Sequence, residues 1–206
     1  MIELENLFSA WDEFKKGKAS RPDVGLFGLG LETHIFKLHE ELTNQTYRHG
    51  SYEGFFISDP KRRHIHKATV RDRVVHHAVF SILNPIFEKT FIAHSFSCRI
   101  RKGSHKGVEI VANMLRKESK NNTRPCYALK CDVQKFFDSI DHRILLSFLQ
   151  KRIRDEKMMR LLTELVESYG KEKAELRRER ERERESFWRF APKRHTHRQS
   201  YVSAFR

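Results

Sequence analysis

The sequence predicts an α+β fold that is largely helical. Three observations carry that prediction. Apolar residues recur at helical spacing through most of the first 170 residues. The run "GFFISDPKRRHIHKA" places two short extended stretches around an Asp-Pro turn, the pattern of a β-hairpin. The run "CYALKCDV" alternates in polarity and stops at an acid, the pattern of a further strand.

The elements follow in chain order. Ile2, Leu4, Leu7, Phe8, Trp11 and Phe14 lie along one helical stripe, which Gly17 and "ASRPD" interrupt. Leu31, Ile35, Leu38 and Leu42 predict a second helix, closed by the turn formers of "NQTYRHG". The hairpin comes next and carries Lys61, Arg62, Arg63 and Lys67 near its tip and return arm. Val70, Val74, Ala78 and Ile82 share one face of a further helix, which Pro85 is expected to end or kink. "SCRIRKGSHKG" reads as a basic, glycine-punctuated loop and "VEIVANMLRKESK" as a short helix. In the strand of "CYALKCDV", Tyr127, Leu129 and Cys131 point one way and Ala128, Lys130 and Asp132 the other. "DHRILLSFLQKRI" is an amphipathic helix with Asp141 as its N-cap. "EKMMRLLTELVESYG" is another, with Gly170 as its C-cap. These elements group as a helical region over 1–50, a unit over 51–120 and a third over 121–170.

After Gly170 the composition changes. "KEKAELRRERERERES" alternates charge with almost no apolar residue, and "FWRFAPKRHTHRQSYVSAFR" lacks a period. Residues 171–206 are expected to be a charged, low-complexity and disordered tail.

Composition narrows the function classes. The chain has 206 residues, a formal net charge of +14 and 33% charged residues. That excess favours polyanionic partners, nucleic acid first and an acidic membrane surface second. No apolar run approaches the roughly 20 residues that cross a bilayer, and the N-terminus lacks the basic-then-apolar order of a secretory signal. Three cysteines without CxxC spacing fit a reducing compartment, so a cytoplasmic protein is expected. "GLFGLG" at 25–30 resembles a phosphate loop only faintly, since no strand precedes it. His64 and His66 alternate on a strand and His76 and His77 adjoin on a helix. None has a Cys or Glu at zinc spacing, so satisfied surface or groove histidines are expected.

The residues around Asp132 carry the chemistry. Hard cations take oxygen ligands, and two ions about 4 Å apart can activate a hydroxyl and stabilise a leaving oxygen. Acids for this purpose must sit on rigid backbone facing a groove, and a strand end provides both. Asp132 has that placement, and the backbone carbonyl of Val133 offers a second oxygen. Read alone, Asp132 is better explained as an acid that simply ends a strand, since aspartate is a strand breaker.

The segment "LKCDVQKFFDSIDH" resembles the first catalytic segment of reverse transcriptases, in the form found in group II introns and diversity-generating retroelements. Upstream, "DPKRRHIHKATVRDRVVHHAVFSILNPIFEKTFIAHSFSCRIRKGSHKGV" resembles their fingers segments in order and separation. The resemblance covers roughly residues 1–170. It implies an incomplete right-hand polymerase fold, with fingers over 51–120 and the start of a palm with a short palm sheet over 121–170. It implies template-directed nucleotidyl transfer with deoxynucleoside triphosphates, an RNA template, a DNA or RNA primer and magnesium (Mg2+).

By this resemblance Asp132 is the first catalytic, metal-binding acid, aided by the Val133 carbonyl. Phe137 matches the aromatic that screens the sugar 2′ position; core packing is its alternative. Lys61 and Arg63 match the fingers bases and Arg73 falls in the same motif, while plain surface cations are the alternative for each. Asp72 is an alternative partner for a neighbouring base. Asp141 is assigned to capping, and Asp138 is not assigned as a ligand. The loop of Arg99, Arg101, Lys102, His105 and Lys106 lies near the template in this family.

The family's second acidic segment, a pair of aspartates, has no counterpart here. The sequence contains no Asp-Asp pair and its last aspartate is Asp155. The chain alone is therefore expected to lack appreciable polymerase activity. The Arg-Glu alternation is what a GA-dinucleotide repeat encodes, so a frameshift that replaced the rest of the palm is one expectation and a natural basic tail another. A non-catalytic RNA-binding module and a frameshifted relic stand as alternative readings of function.

Overall fold

The computed structural model describes residues 2–59, 62–133, 136–169 and 182. It is mostly helical with a two-stranded antiparallel sheet, an α+β arrangement. Helices α1 (Leu4–Lys15), α2 (Pro22–Leu29) and α3 (Leu31–Thr43) precede strands β1 (Glu53–Ser58) and β2 (Arg62–Lys67). Helices α4 (Val70–Glu88), α5 (Ser104–Glu118), α6 (Phe136–Ser139) and α7 (His142–Gln150) follow, and residues 156–169 form a last helix, α8. Lys61, Gly170, the side chain of Asp138 and the tail over 171–206, Arg182 excepted, lie outside the described residues.

The core is built by the predicted stripes. α1 buries Leu7, Ala10, Trp11 and Phe14 at the i, i+3, i+4, i+7 spacing of one helical face. This face packs on α4 and α3. α3 contributes Ile35, Leu38 and Leu42, and α4 contributes Val74, Val75, Ala78 and Val79. α8 closes the same cluster with Met158, Leu161 and Leu162, beside Ile153. Asp155 caps α8 by accepting from the Met158 amide at 2.8 Å.

Three sequence expectations are corrected, and one helix is added to those read from the sequence. The "GLFGLG" stretch, assigned to no element from sequence, is mostly helix α2, in keeping with its weak match to a phosphate loop: Pro22 starts it without needing an N–H partner. Val24 and Phe27 anchor α2 in the core. Gly28 faces Trp11, whose ring would lie 3.5 Å from an added Cβ. Pro85 does not end α4, which runs on to Glu88. The proline sits in the last turn, so one backbone bond is lost there, while Leu83 and Phe87 hold that turn against the core. α5 starts at Ser104, four residues earlier than expected, because Gly103 at φ 90° turns the chain into it. Finally, residues 125–133 form no strand and are exposed throughout, with Tyr127 93% and Leu129 91% accessible. A strand needs a ladder partner for its backbone groups, and among the described residues only β1 and β2 pair.

The hairpin is joined to the helical core by a buried carboxylate. Asp72, in the first turn of α4, is 0% exposed. It accepts hydrogen bonds from the Tyr47 hydroxyl at 2.7 Å, the Thr69 hydroxyl at 2.6 Å, the Gly50 amide at 3.1 Å and Arg71 at 3.0 Å. Thr69 in turn caps α4 by accepting from the Asp72 amide. Arg71 lies 4.6 Å above the Tyr47 ring and also pairs with Glu41. One acid thus fixes residues 47–50, which lead into β1, and Thr69, which leaves β2. An added Cβ at Gly50 would meet Asp72 Oδ2 at 2.9 Å.

Burial alone pushes the Asp72 carboxyl up. Hydrogen bonds from Thr69 and Tyr47, with the charges of His49 and Arg71, outweigh that and hold it below its ordinary 3.8. A depressed carboxyl stabilises the fold above the unfolded value, and that contribution is lost as pH falls through the folded value. Urea unfolding of Asp72→Ala is expected to show a loss of about 3–5 kcal/mol, since the Tyr47 hydroxyl, the Gly50 amide and Arg71 lose their buried partner. Gly50→Ala is expected to cost about 1–3 kcal/mol through overpacking. In a pH series of unfolding midpoints, Asp72→Asn should flatten the decline below pH about 4.

Candidate nucleic-acid interface

The hairpin register pairs Phe55 with Ile65, Phe56 with His64, Ile57 with Arg63 and Ser58 with Arg62. Alternation along β2 places Arg62, His64 and His66 on one face and Arg63, Ile65 and Lys67 on the other. On the first face the Arg62 guanidinium lies 4.2 Å over the Phe56 ring, His64 lies 4.6 Å from that ring, and His66 lies 4.4 Å from His64. Phe55, Phe56, Ile57, Arg62 and Arg63 are exposed. Accessible rings interleaved with guanidinium groups can stack bases and pair phosphates.

At the base of the hairpin the structure brings Arg73 and Lys67 together on one acid. Asp23, from the first turn of α2, accepts from Arg73 at 2.7 Å and pairs with Lys67 at 2.9 Å. Slight burial raises the Asp23 carboxyl, and its bonds to Lys67 and Arg73 more than offset that and lower it. The Asp23 bond raises the Lys67 ammonium. Arg73 also lies 4.8 Å over the Phe14 ring. These groups line a recess of about 300 Å³ with Ser51, Tyr52 and Thr69. In this arrangement a triphosphate would have to displace Asp23 to use the Arg73 fork.

The basic loop is partly structural. Arg99 donates to Glu88 at 2.9 and 2.7 Å and to the carbonyls of Ile92 and Ser95 at 3.1 and 3.0 Å, so it folds the chain back over the end of α4. Its bonds hold the Glu88 carboxyl below the ordinary range. Lys102 donates to the Ala93 carbonyl and Lys106 pairs with Glu109. Arg101, at φ 60°, sits in the left-handed region at the turn and is exposed.

Asp132, Val133 and Phe137 lie apart from this cluster in the bonding pattern. Asp132 and Val133 are exposed on the irregular 125–133 segment, and Phe137 is exposed on α6, edge-to-face with Phe136 at 5.3 Å. No described hydrogen bond or ion pair joins Asp132 to Arg63 or Arg73. The oxygen donors of Asp132 and Val133 suit magnesium in kind. Among the described residues no group of three or more His, Cys, Asp or Glu is placed to hold an ion. Asp141 caps α7, accepting from the Arg143 and Ile144 amides at 2.8 and 3.2 Å. Those bonds hold its carboxyl down.

Sequence reasoning missed Asp23, Tyr47 and His49. His49 Nδ1 donates to the Gly50 carbonyl at 2.6 Å, and its Nε2 lies 3.3 Å from His76 Nε2. Burial, then the charge of His49, pushes His76 down to about 4. The Thr69-x-x-Asp72 spacing, an N-terminal capping pattern, was the one local signal for this network. Thermal unfolding is expected to separate the two kinds of site residue. Asp132→Asn should leave the midpoint unchanged, whereas Arg73→Ala should cost about 1–2 kcal/mol through the lost Asp23 bond, allowing for partial exposure.

No protein-family model matches the chain. It is 28% identical over 142 residues to Protein YkfC of Escherichia coli (strain K12), covering 68% of this chain and 36% of that protein. It is 28% identical over 92 residues to Nuclear intron maturase 1, mitochondrial, of Arabidopsis thaliana, covering 45% of this chain and 12% of that one. It is 25% identical over 175 residues to the COX1/OXI3 intron 1 protein of Saccharomyces cerevisiae, covering 81% of this chain and 20% of that one. The chain thus spans about a third or less of the length of these relatives, and its similarity to an intron maturase and an intron-named protein is distant.

Proposed function

We propose that this chain is part of a reverse transcriptase-related, maturase-like protein and that its hairpin unit binds RNA. The observation that carries this reading is the exposed β1–β2 hairpin, where Arg62 stacks on Phe56 beside His64 and His66, with Arg63 exposed on the other face. The net charge of +14 supports a polyanionic partner. The distant likeness to a protein named as an intron maturase makes RNA the preferred polyanion.

In the complete enzyme, template-directed nucleotidyl transfer would use Asp132 as the first metal-binding acid, with the Val133 carbonyl beside it and Phe137 under the sugar. Lys61, Arg63 and Arg73 would hold the deoxynucleoside triphosphate. Magnesium, when bound, would supply charge stabilisation at the phosphates. The chain alone binds RNA without extending a primer, because its sequence has no Asp-Asp pair to accompany Asp132.

The test is fluorescence anisotropy with a single-stranded RNA over a salt series. Affinity should fall linearly on a log-log plot. Replacing Arg62 and Arg63 together by Ala should reduce that slope by about 1.4, at about 0.7 per phosphate contact. An unchanged slope would remove the hairpin from the interface. Primer extension with magnesium should show no product, and synthesis abolished by Asp132→Asn would overturn the claim of inactivity.

A further inference from the structure

A second concave site lies between the end of α3, the Tyr47–Arg48 segment and the first turns of α8. Its volume is about 400 Å³, within the roughly 300–1,000 Å³ of small-molecule sites. Leu42, Met158 and Leu161 give it an apolar floor, and Tyr47 adds a ring. All four are also buried members of the core, so the floor is rigid.

The rim decides the ligand's charge. Arg48, Lys157 and Arg160 line it together with two acids, Asp155 and Glu164. Both acids already hold backbone groups. Asp155 caps α8 through the Met158 amide at 2.8 Å, and Glu164 accepts from the His49 amide at 3.1 Å. The cations are less engaged. Arg48 donates to the Tyr47 carbonyl and Arg160 to the neutral Gln45 side chain at 3.0 Å. Lys157 makes no hydrogen bond or ion pair with a described residue. All three are exposed.

We infer that this cavity binds a small amphipathic anion, a compact apolar body carrying one carboxylate or phosphate group. The apolar floor takes the body, and the Arg48, Lys157 and Arg160 rim takes the charge. A nucleotide of an RNA strand also joins an apolar base to a phosphate, so RNA is the competing occupant that the test below separates from a free small molecule. This inference does not depend on the RNA-binding reading, since none of its residues belongs to the hairpin. Glu164 and Tyr47 connect the cavity to His49 and Asp72, so an occupant should stabilise the whole fold.

Equilibrium dialysis of the full chain against 1-naphthoate, 1-naphthyl phosphate, uncharged 1-naphthamide and inorganic phosphate tests it. One saturable site is expected for one or both of the naphthyl anions, and the tighter of the two identifies the head group. Naphthamide and inorganic phosphate should each bind at least tenfold more weakly. Replacing Arg48 and Lys157 together by Gln, both on the surface, should weaken the anion at least tenfold with an unchanged unfolding midpoint. Replacing Arg62 and Arg63 by Gln should leave its binding intact. Equal binding of naphthamide, or anion binding that survives the rim variant, overturns the proposal. So does a rim that affects RNA affinity while neither naphthyl anion binds, which would make it an RNA contact surface.

Discussion

A buried carboxylate, Asp72, anchors the base of the hairpin to the helical core, beside the Lys67–Asp23 pair. The hairpin has no apolar layer of its own, and its β1 residues are exposed throughout. A two-stranded ribbon of this kind is marginal in water. It is held at its base, where Tyr47 and Gly50 before β1 and Thr69 after β2 converge on one acid, and by Lys67 on Asp23 and His66 against Tyr169 of α8. Charge would make that acid costly to bury. Four donors, one of them Arg71, repay the desolvation and fix the geometry. The same segment then carries His49 to Glu164 on α8, so the hairpin base, α4 and α8 share one hydrogen-bonded junction.

The helical core was largely legible in the sequence because it rests on local periodicity. The stripe of Leu7, Trp11 and Phe14 and that of Ile35, Leu38 and Leu42 appear as expected, and so does the Asp141 cap. The hairpin was legible from its Asp-Pro turn. Helix α2 was not, since glycines at 25 and 28 mask a helix that tertiary contact with Trp11 supports. The strand at 126–132 failed for the converse reason. Its alternation is a local signal, but strand formation requires partners that no described residue supplies.

The candidate site was legible in residue type and less so in arrangement. Arg73 was read as a phosphate-facing cation, and it is bonded to Asp23 beneath the hairpin. Fifty residues separate that pair, so no spacing rule reveals it. Arg99, in the basic loop, organises that loop through Glu88. Arg62 and Arg63 remain exposed, and Arg62 lies over the Phe56 ring.

Amide hydrogen exchange on the full chain, with and without a single-stranded RNA, tests this account most directly. RNA should slow exchange across 53–67 in the intact protein. In Asp72→Asn those amides should exchange faster and lose the RNA effect, while α1 and α3 keep their protection. Hairpin amides that stay equally protected without the carboxylate, or RNA protection that falls elsewhere, would contradict it.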